Sequence, residues 1–443
     1  MKSTPRVVVV GGGLAGLVAA RHLAGGGVDV TLTERRPSLG GRVRTTVRDG
    51  YRFDDGFQVL FTAYPAVRRE LDLEALDLRP FAPGATIARG GHRSPLVDPL
   101  RAPRAFPAAL FTPDVTFGDK LRVAKLRWAL RNRTFDELLE SPGDSSIDAY
   151  LRGMGFSDRF LERFAAPFYG GITLDRSLST SKRIFEYTFK ALSAGDTAVP
   201  AAGMEAIPGQ LADFAEAEGA TIETDAAVES VSTDVASRSG TDVDASDPAD
   251  ETVVVETTDG TYNADAAVVA TDPPTARSIT GVDSIPTDAR GCVTQYYALP
   301  ADSGIGSARR IVLNADPDSA GPNHVVPTSE VAPEYAPEDV TLISATYLGD
   351  RTETDEELAE TTRDTLESWY PERAFDGFSL EHTDRIPFAQ FVQPPGFHAG
   401  LPDVCDPDGA VYLAGDYTRW SSIQGAMESG RQAAKAVLED LSG

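Results

Sequence analysis

Three glycines near the start of the chain have the spacing of a phosphate-binding turn. Gly11, Gly13 and Gly16 satisfy the pattern G-x-G-x-x-G. In this pattern the first glycine permits a tight turn, the second admits a pyrophosphate to the backbone, and the third lets a helix pack closely. Backbone N–H groups near Leu14 and Ala15 would face the phosphates at the positive end of the helix dipole. The turn is therefore predicted to bind a dinucleotide.

An acidic residue follows these glycines at the distance expected for a ribose contact. Glu34 comes about 20 residues after Gly11, and a carboxylate at this point accepts hydrogen bonds from an adenosine ribose. The adjacent Arg35 and Arg36 raise the alternative of a ribose 2′-phosphate, and hence NADP. The residues that come next argue for a different dinucleotide.

A strand, a helix and a second strand are the elements that must position these residues. Val7 to Val10 are four consecutive β-branched residues, which is typical of a strand buried on both faces in a parallel sheet. A helix is expected from the glycine turn to Gly25–Gly27, and a strand over Val28 to Thr33 leads to Glu34. This order indicates an α/β fold with a Rossmann-type dinucleotide-binding domain.

A second glycine cluster lies directly after the ribose-binding acid. It consists of Gly40, Gly41 and Arg42, and the segment Asp54 to Gln58 follows it. With these residues the sequence resembles the flavin-dependent oxidoreductases that include monoamine and polyamine oxidases, protoporphyrinogen oxidases and carotenoid desaturases. In that superfamily the G-G-R loop lies along the ribityl and pyrophosphate of FAD, and the second segment passes beside the isoalloxazine ring.

The resemblance continues at the end of the chain. Val411 to Ala414 predict a short buried strand that leads to Gly415 and Asp416, and a helix is expected from about Ser422 to Asp440. In the superfamily the matching aspartate binds the ribityl or pyrophosphate portion, and the helix N-terminus points at the pyrimidine side of the flavin. The remaining FAD contacts implied by the resemblance are Gly56, Phe57, Gln58, Val228, Thr271, Ile423, Gln424 and Ala426.

The pattern between these segments predicts an inserted α+β substrate domain. From about Arg79 to Pro200 the β-branched alternation disappears, and helical stretches such as Phe117 to Asn132 and Ser146 to Arg163 predict a largely helical lobe. A sheet half with an acidic helix, Asp355 to Trp369, is expected later. We assign residues 1–78, 197–281 and 396–443 to the FAD-binding domain, and residues 79–196 and 282–395 to the substrate-binding domain.

Two further patterns concern local structure within these domains. Ser232 to Glu251 predicts a solvated loop, and Asp259-Gly260 predicts a hairpin between strands at Thr252 to Thr257 and Ala264 to Ala270. Five large aromatic residues in the sheet half are equally consistent with a pocket lining and with core packing. They are Tyr296, Tyr297, Tyr347, Phe388 and Phe391.

Composition excludes several classes of protein. The net charge is −26 and only six of the 41 basic residues are lysine, which disfavours nucleic-acid binding and is typical of a protein in concentrated salt. No run of about 18 apolar residues predicts a bilayer span, and no signal peptide is evident, so a cytoplasmic location is expected. The five histidines show no metal-ligand spacing, so each is expected to be a packing or surface residue.

One stretch carries the opposite charge. Between Arg101 and Arg133 there are eight basic residues against two acids, which raises the alternative of peripheral membrane contact. On a helical projection Arg122, Lys125 and Arg133 fall on one side, with Arg127 and Arg131 nearly opposite, so no clean amphipathic face results. Leu126, Leu130 and Val123 separate the two basic groups on one flank, and Leu121 and Trp128 separate them on the other.

The predicted activity is removal of hydride from a C–H bond onto a flavin. Amine oxidases of this superfamily commonly place a lysine beside the flavin, whereas no lysine occurs from Ala191 to Ala434. Cys405 lies too close to Gly415 to match a flavin-bonding cysteine, so FAD is expected to be noncovalent. The first hypothesis is a desaturase or dehydrogenase of a hydrophobic, carotenoid-like or isoprenoid substrate. Alternatives are an amine oxidase, a protoporphyrinogen-type oxidase and a flavin-holding protein without turnover; the catalytic residues and the electron acceptor stay open.

Overall fold

The computed structural model describes residues 4–97, 113–235, 251–303 and 305–442. The strands in these ranges are β1 (Arg6–Val10), β2 (Asp29–Thr33), β3 (Thr45–Arg48), β4 (Tyr51–Asp54), β5 (Leu60–Phe61), β6 (Leu78–Pro80), β7 (Ala85–Arg89), β8 (His92–Leu96), β9 (Thr197–Pro200), β10 (Thr221–Glu223), β11 (Val228–Val235), β12 (Glu251–Thr257), β13 (Gly260–Ala264), β14 (Ala266–Val269), β15 (Ala289–Pro300), β16 (Ile311–Asn314), β17 (His324–Val326), β18 (Val340–Leu348), β19 (Ser379–Phe391) and β20 (Val411–Leu413).

Helices pack against these strands and form a separate lobe in the first half of the chain. The α-helices are α1 (Leu14–Gly25), α2 (Pro65–Glu70), α3 (Phe117–Arg131), α4 (Phe135–Leu139), α5 (Ile147–Gly153), α6 (Asp158–Phe160), α7 (Ala166–Thr173), α8 (Lys182–Ala194), α9 (Ala206–Ala217), α10 (Pro273–Thr280), α11 (Thr328–Val331), α12 (Asp355–Trp369) and α13 (Ile423–Ser442). A single π-helical turn, Leu161–Ala165, joins α6 to α7.

A five-stranded parallel sheet carries the glycine-rich turn. Its strand order is β10-β2-β1-β14-β20, and every neighbouring pair is parallel. The predicted first strand is confirmed, and Val7 to Val10 are at most 3% exposed. Because parallel strands end at a common edge, the turn after β1, the residue after β2 and the residue after β14 meet there. The mixed α/β class predicted from the sequence is confirmed.

A three-stranded antiparallel sheet, β11-β12-β13, shows where one strand prediction was wrong. The Asp259-Gly260 hairpin forms as predicted, but the partner of β12 is Gly260–Ala264. The backbone N–H of Asp265 donates to Arg6 O, and Ala266–Val269 then joins the parallel sheet beside β1. The predicted strand from Ala264 to Ala270 therefore belongs to two sheets, because a tertiary pairing with β1 overrides the hairpin register.

A seven-stranded mixed sheet forms the sheet half of the inserted region, in the order β19-β15-β18-β17-β16-β7-β8. The prediction of a largely helical segment after Arg79 missed β7 and β8. These strands are held by parallel pairing of Ala85–Arg89 with Ile311–Asn314, more than 200 positions away, so no local pattern marks them. The strand predicted at Val340–Leu348 and the helix predicted at Asp355–Trp369 are confirmed with these bounds.

The helical lobe is more broken than the sequence pattern predicted. The single helix expected from Ser146 to Arg163 is interrupted after Gly153, because Gly155 has a positive φ of 82° and the Ser157 hydroxyl accepts a hydrogen bond from Phe160 N to start a new helix. The part of the basic stretch before residue 113 and the centre of the predicted loop, residues 236–250, lie outside the described residues. None of the described helices has the length and apolar character that crossing a bilayer requires.

Candidate active site

One elongated cavity of about 1360 Å³ runs from the carboxyl edge of the parallel sheet into the helical lobe. Pockets for a single small ligand usually measure about 300–1,000 Å³, so this space can hold a dinucleotide and a second molecule. The predicted residues that line it are Gly11, Gly13, Leu14, Ala15, Glu34, Arg35, Gly40, Gly41, Arg42, Gly56, Phe57, Gln58, Val228, Thr271, Gly415, Asp416, Ile423 and Ala426.

Two of the predicted contact residues do not line the cavity. A Cβ on Gly16 would lie 2.0 Å from Gly11 O, so this glycine permits the close approach of α1 to the end of β1. The side chain of Gln424 is turned away, and its Oε1 accepts a hydrogen bond of 2.8 Å from Ala66 N. Both residues support the walls of the cavity from behind.

The glycine turn leaves open space at the N-terminus of α1. Gly11 has a φ of +109°, and a Cβ there would lie 2.8 Å from Ala270 O, so this turn requires glycine. Gly13 has ordinary extended dihedrals, and a Cβ on it would meet no atom within 4 Å. Gly13 therefore contributes a cradle that any side chain would begin to fill, beside N–H groups at the positive end of a helix.

The carboxylate of Glu34 is fixed at the edge of this cradle. Its Oε2 accepts a hydrogen bond of 2.8 Å from Gly12 N, and its Oε1 accepts one of 3.0 Å from Arg36 N. A carboxylate has about four acceptor positions, so the Glu34 side chain can accept further bonds from sugar hydroxyls. The Arg35 guanidinium, which is more than half exposed, lies 3.6 Å from the Asp272 carboxylate.

An ion pair between Arg42, in the first part of the chain, and Asp416, near its end, forms part of the cavity wall. Arg42 Nη2 donates to Asp416 Oδ1 at 2.7 Å, while Ser421 Oγ donates to Asp416 Oδ2 at 2.8 Å. Burial opposes the charge of Arg42, but the Asp416 carboxylate outweighs this and raises the pKa of Arg42. Arg42 Nη1 also donates to Ala389 O on β19 at 3.1 Å. The charged guanidinium thus joins three segments around the cavity.

Gln58 presents an unused acceptor beside this pair. Its Nε2 donates to Arg42 O at 2.6 Å and to Asp55 O at 3.2 Å. Its Oε1 is buried and has no hydrogen-bond partner among the described residues. A buried acceptor without a partner costs about 1–3 kcal/mol, so this atom is suited to an N–H group of a bound molecule.

The last helix reaches the cavity because small residues let it approach α1. A Cβ on Gly430 would lie 2.1 Å from Ala15 O, so α13 can pack against α1 only with glycine at this position. At the start of α13, Gly425 N donates to Ser422 Oγ at 2.8 Å. Ser422, Ile423 and Ala426 line the cavity.

The half of the cavity inside the helical lobe is lined mainly by apolar side chains, with Lys120 and Arg127 of α3 also on its wall. Aromatic rings stack along it, with centroids 4.5 Å apart for Phe156 and Phe160 and 5.2 Å apart for Phe164 and Phe168. Other apolar lining residues are Phe81, Leu96, Val97, Val123, Leu126, Leu151, Tyr169, Ile172, Leu174, Ile184, Phe185, Phe189 and Leu192. Of the five aromatic residues that the sequence left between pocket and core, Phe388 lines this cavity and the other four do not.

His324, which the sequence assigned only a packing or surface role, also lines the cavity. Its Nδ1 lies 3.0 Å from the amide Nδ2 of Asn323, so in the neutral ring we assign the proton to Nε2. That Nε2 is buried without a partner among the described residues, and burial lowers the pKa of His324 to about 3. Its ring centroid is 5.0 Å from that of Phe57. An isolated histidine without partner spacing gave no sequence signal of this position.

Comparison with known proteins gives one family and several relatives. The family model for flavin containing amine oxidoreductases matches residues 14–438. A carotenoid 3,4-desaturase of Haloarcula japonica is 54% identical over 50 residues, which cover 11% of this chain and 10% of that protein. A phytoene dehydrogenase of Streptomyces griseus is 29% identical over 246 residues, 49% of this chain and 47% of that protein. The matches thus span less than half of these curated relatives.

A solved structure of a putative protoporphyrinogen oxidase from Exiguobacterium sp. 255-15 superimposes with a TM-score of 0.69. It is 18% identical, and the superposition covers 100% of both chains. At this identity the likeness concerns the fold.

Proposed function

Because the chain belongs to the flavin containing amine oxidoreductase family, we propose that it binds FAD noncovalently and removes hydride from a C–H bond of a long hydrophobic substrate of the carotenoid or isoprenoid type. The enzyme is a flavin-dependent oxidoreductase. The identity of the flavin, its mode of attachment and the substrate class are the proposed parts. We also propose that residues 1–78, 197–281 and 396–443 form the FAD-binding domain and the remaining residues the substrate-binding domain.

The residues at the sheet end of the cavity fit FAD in particular. The open cradle at Gly13 suits a pyrophosphate, the acceptor positions of Glu34 suit a ribose, and the unpaired Gln58 Oε1 suits an N–H of the flavin ring system. Gly13, Glu34 and Gln58 all line the same cavity, as the binding of one flavin dinucleotide requires. A mononucleotide would leave the Gly13 and Glu34 end without an occupant.

Noncovalent attachment is supported by the two cysteines. Cys405 is exposed and does not line the cavity. Cys292 does line it, but burial, with a smaller contribution from the Asp384 carboxylate, raises the pKa of its thiol to about 12. Since the thiolate is the reactive form of cysteine, neither residue is suited to form a bond with flavin.

The observation that carries the substrate class is the apolar half of the cavity. Stacked phenylalanines and aliphatic side chains line a space that continues from the Phe57 and Gln58 segment into the helical lobe. A long hydrocarbon gains free energy along the whole of such a surface, whereas a short charged amine would lose hydration there. The names of the two curated relatives, a carotenoid desaturase and a phytoene dehydrogenase, point the same way.

The chain itself contributes positioning and exclusion of water. When bound, the flavin supplies the acceptor for the hydride. The aromatic walls hold a hydrocarbon in a fixed orientation and keep water out of the cavity. Arg42, held by Asp416 and Ala389 O, keeps the G-G-R loop and the C-terminal turn at a fixed separation. Hydride removal from a hydrocarbon needs few acidic or basic side chains, which agrees with the apolar lining.

Anaerobic reduction of the enzyme's flavin tests this proposal. The purified protein is expected to release FAD on acid precipitation, and its flavin absorbance to bleach with detergent-dispersed isoprenoid polyenes. The product should lack two hydrogens, one transferred to the flavin as hydride and one released to the solvent as a proton, as read by mass spectrometry. Polyamines, aromatic amines and a porphyrinogen complete the panel. Bleaching by amines alone would contradict the proposed substrate class. A flavin that stays with the precipitated protein would contradict noncovalent attachment.

A further inference from the structure

Helix α3 presents large apolar side chains to solvent. Phe117, Leu121 and Trp128 are 64%, 58% and 66% exposed. Among the described residues, Val47 is the one other large apolar residue with comparable exposure, at 58%, and it lies on the β3–β4 hairpin. Exposed apolar residues are therefore concentrated on one helix, which is unusual because scattered single residues are the normal pattern.

These three side chains share one face of α3. Successive intervals of four and seven residues bring Phe117, Leu121 and Trp128 to the same side of a helix. The opposite side carries Leu126 and Leu130, which are 2% and 3% exposed and pack in the core of the helical lobe. The helix is thus fixed from behind, while its outer apolar face has no covering element among the described residues.

The charge on α3 is opposite to that of the rest of the chain. Its basic residues are Lys120, Arg122, Lys125, Arg127 and Arg131. Its one acid, Asp119, is fully buried and accepts hydrogen bonds from Ser157 N and Oγ at 2.9 and 2.6 Å. A local positive surface in a protein with a net charge of −26 fits an anionic partner.

The apolar face also borders the cavity. Phe117 and Ala124 line the cavity, and Ala124 is itself exposed. Lys120 and Arg127 line the cavity as well, so basic and apolar residues adjoin along the same helix. A molecule seated against α3 would therefore lie next to the space that we propose for a hydrophobic substrate.

We propose that this face of α3 docks on the surface of an anionic lipid bilayer. Phe117, Leu121 and Trp128 would enter the boundary between headgroups and acyl chains, and the basic residues on both flanks would lie at the level of the lipid phosphates. Docking rests on the surface alone. The added inference, that substrate dissolved in the bilayer reaches the cavity past α3, rests on the proposed function.

Vesicle flotation at low salt tests the docking. The flavin-loaded protein is expected to float with vesicles of phosphatidylcholine and phosphatidylglycerol and to float much less with phosphatidylcholine alone. Leu121→Ser/Trp128→Ser should lower the bound fraction about tenfold or more, because both side chains leave the lipid boundary. Val47→Ser is a matched control, since Val47 and Leu121 are equally exposed.

A charge variant tests the second part of the surface. Lys125→Glu/Arg131→Glu should abolish binding to the anionic vesicles, whereas Arg363→Glu/Lys435→Glu, with the same change in net charge at exposed positions on other helices, should bind more strongly than the α3 variant. Melting temperature and flavin content show whether each variant is folded.

Three outcomes would overturn the proposal. They are failure of the unmodified protein to float, equal flotation of the Leu121→Ser/Trp128→Ser variant, and a self-association in sedimentation that this variant dissociates. In the last case a second copy of the chain covers α3. Flavin bleaching by detergent-dispersed substrate is measured on the same proteins, so failure of docking is distinguished from failure of the proposed reaction.

Discussion

Arg42 and Asp416 are 374 positions apart in the chain, yet Arg42 Nη2 lies 2.7 Å from Asp416 Oδ1. The pair joins the loop after the first Rossmann unit to the turn before the last helix. Asp416 is 3% exposed, and its second oxygen accepts a hydrogen bond from Ser421 Oγ. The two distant chain segments that flank the proposed FAD site are therefore tied to each other by an ion pair.

Asp416→Ala should weaken both the fold and flavin binding. It removes the partner of the Arg42 guanidinium, and because that side chain remains 35% exposed, the expected loss is about 1–3 kcal/mol, below that of a fully buried pair. Asp283→Ala breaks an Arg–Asp pair of the same 2.7 Å length in which Asp283 is 93% exposed, and should cost less than about 0.5 kcal/mol. Urea unfolding and the flavin-to-protein ratio measure the difference. Equal losses in the two variants would contradict the role of the pair.

Gly13→Ala and Gly16→Ala should fail in different ways. A methyl on Gly13 meets no protein atom, so the protein should fold, with a melting temperature close to normal, but lose flavin because the pyrophosphate space is reduced. A methyl on Gly16 would lie 2.0 Å from Gly11 O, so this variant should be strongly destabilised. Gly209→Ala, in open space away from the cavity, is the control. Normal flavin content in Gly13→Ala would contradict pyrophosphate binding at this turn.

Because of Asp54, the free energy of unfolding should fall as pH rises from about 4 to 6. Burial raises its pKa to about 6, although Thr45 Oγ1, Met204 N and Tyr335 OH all donate to the carboxylate. In the unfolded chain the pKa of an aspartate is about 3.9, so between pH 4 and pH 6 the folded protein holds a proton on Asp54 that the unfolded chain has lost. The contribution of this proton to the free energy of unfolding is present below pH 4 and lost above pH 6.

The comparison of wild type with Asp54→Asn isolates this effect. The asparagine cannot ionise, so the unfolding free energy of wild type minus that of the variant should decrease by about 2 kcal/mol between pH 4 and pH 6 and stay level above about pH 7. Other carboxylates contribute equally to both proteins. Denaturant titrations across this range provide the measurement, and parallel pH curves for the two proteins would contradict the raised pKa.

Features fixed by residues close together in the sequence could be predicted, whereas features fixed by contacts between distant segments could not. The turn from Gly11 to Gly16 follows β1 and the acid Glu34 follows β2, as local spacing in a β-α-β unit predicts, while their contacts with a dinucleotide stay a prediction. Strand β7 was missed because its pairing with Ile311–Asn314 is distant, and the orientation of the Gln424 side chain depends on a bond to Ala66 N.

The same limit applies to helix α3 and to His324. Helical periodicity identified two apolar flanks on α3 but could not show that Leu126 and Leu130 are buried while Leu121 and Trp128 are exposed. Which flank faces the core depends on the whole helical lobe. His324 reaches the cavity only through the pairing of β17 with β16 and β18 in the seven-stranded sheet.

His324→Leu should reduce kcat/KM about tenfold with flavin content unchanged. The unpaired Nε2 proton is expected to donate to the bound flavin, because a hydrocarbon substrate offers no acceptor, and a hydrogen bond that strengthens as the flavin is reduced contributes about 1–1.5 kcal/mol. His324→Gln keeps a donor and should recover part of the rate. Burial lowers the pKa of His324 to about 3, so its imidazole stays neutral near pH 7. The pH profile of kcat/KM for the wild type should therefore show no inflection near pH 6.5 from this group. An unchanged kcat/KM in His324→Leu would assign the residue to packing.

Ala124→Phe should separate a long substrate from a short one. Ala124 lines the apolar half of the cavity, so a phenyl group there would occupy space that a long hydrocarbon needs, and flavin reduction by an isoprenoid should slow about tenfold or more. Reduction by a short alkene that binds beside Phe57 should change little. Ala129→Phe is the matched control, since Ala129 is exposed on the same helix and does not line the cavity. Stopped-flow bleaching of the flavin gives both rates, and equal isoprenoid rates for Ala124→Phe and Ala129→Phe would mean that the substrate does not extend along α3.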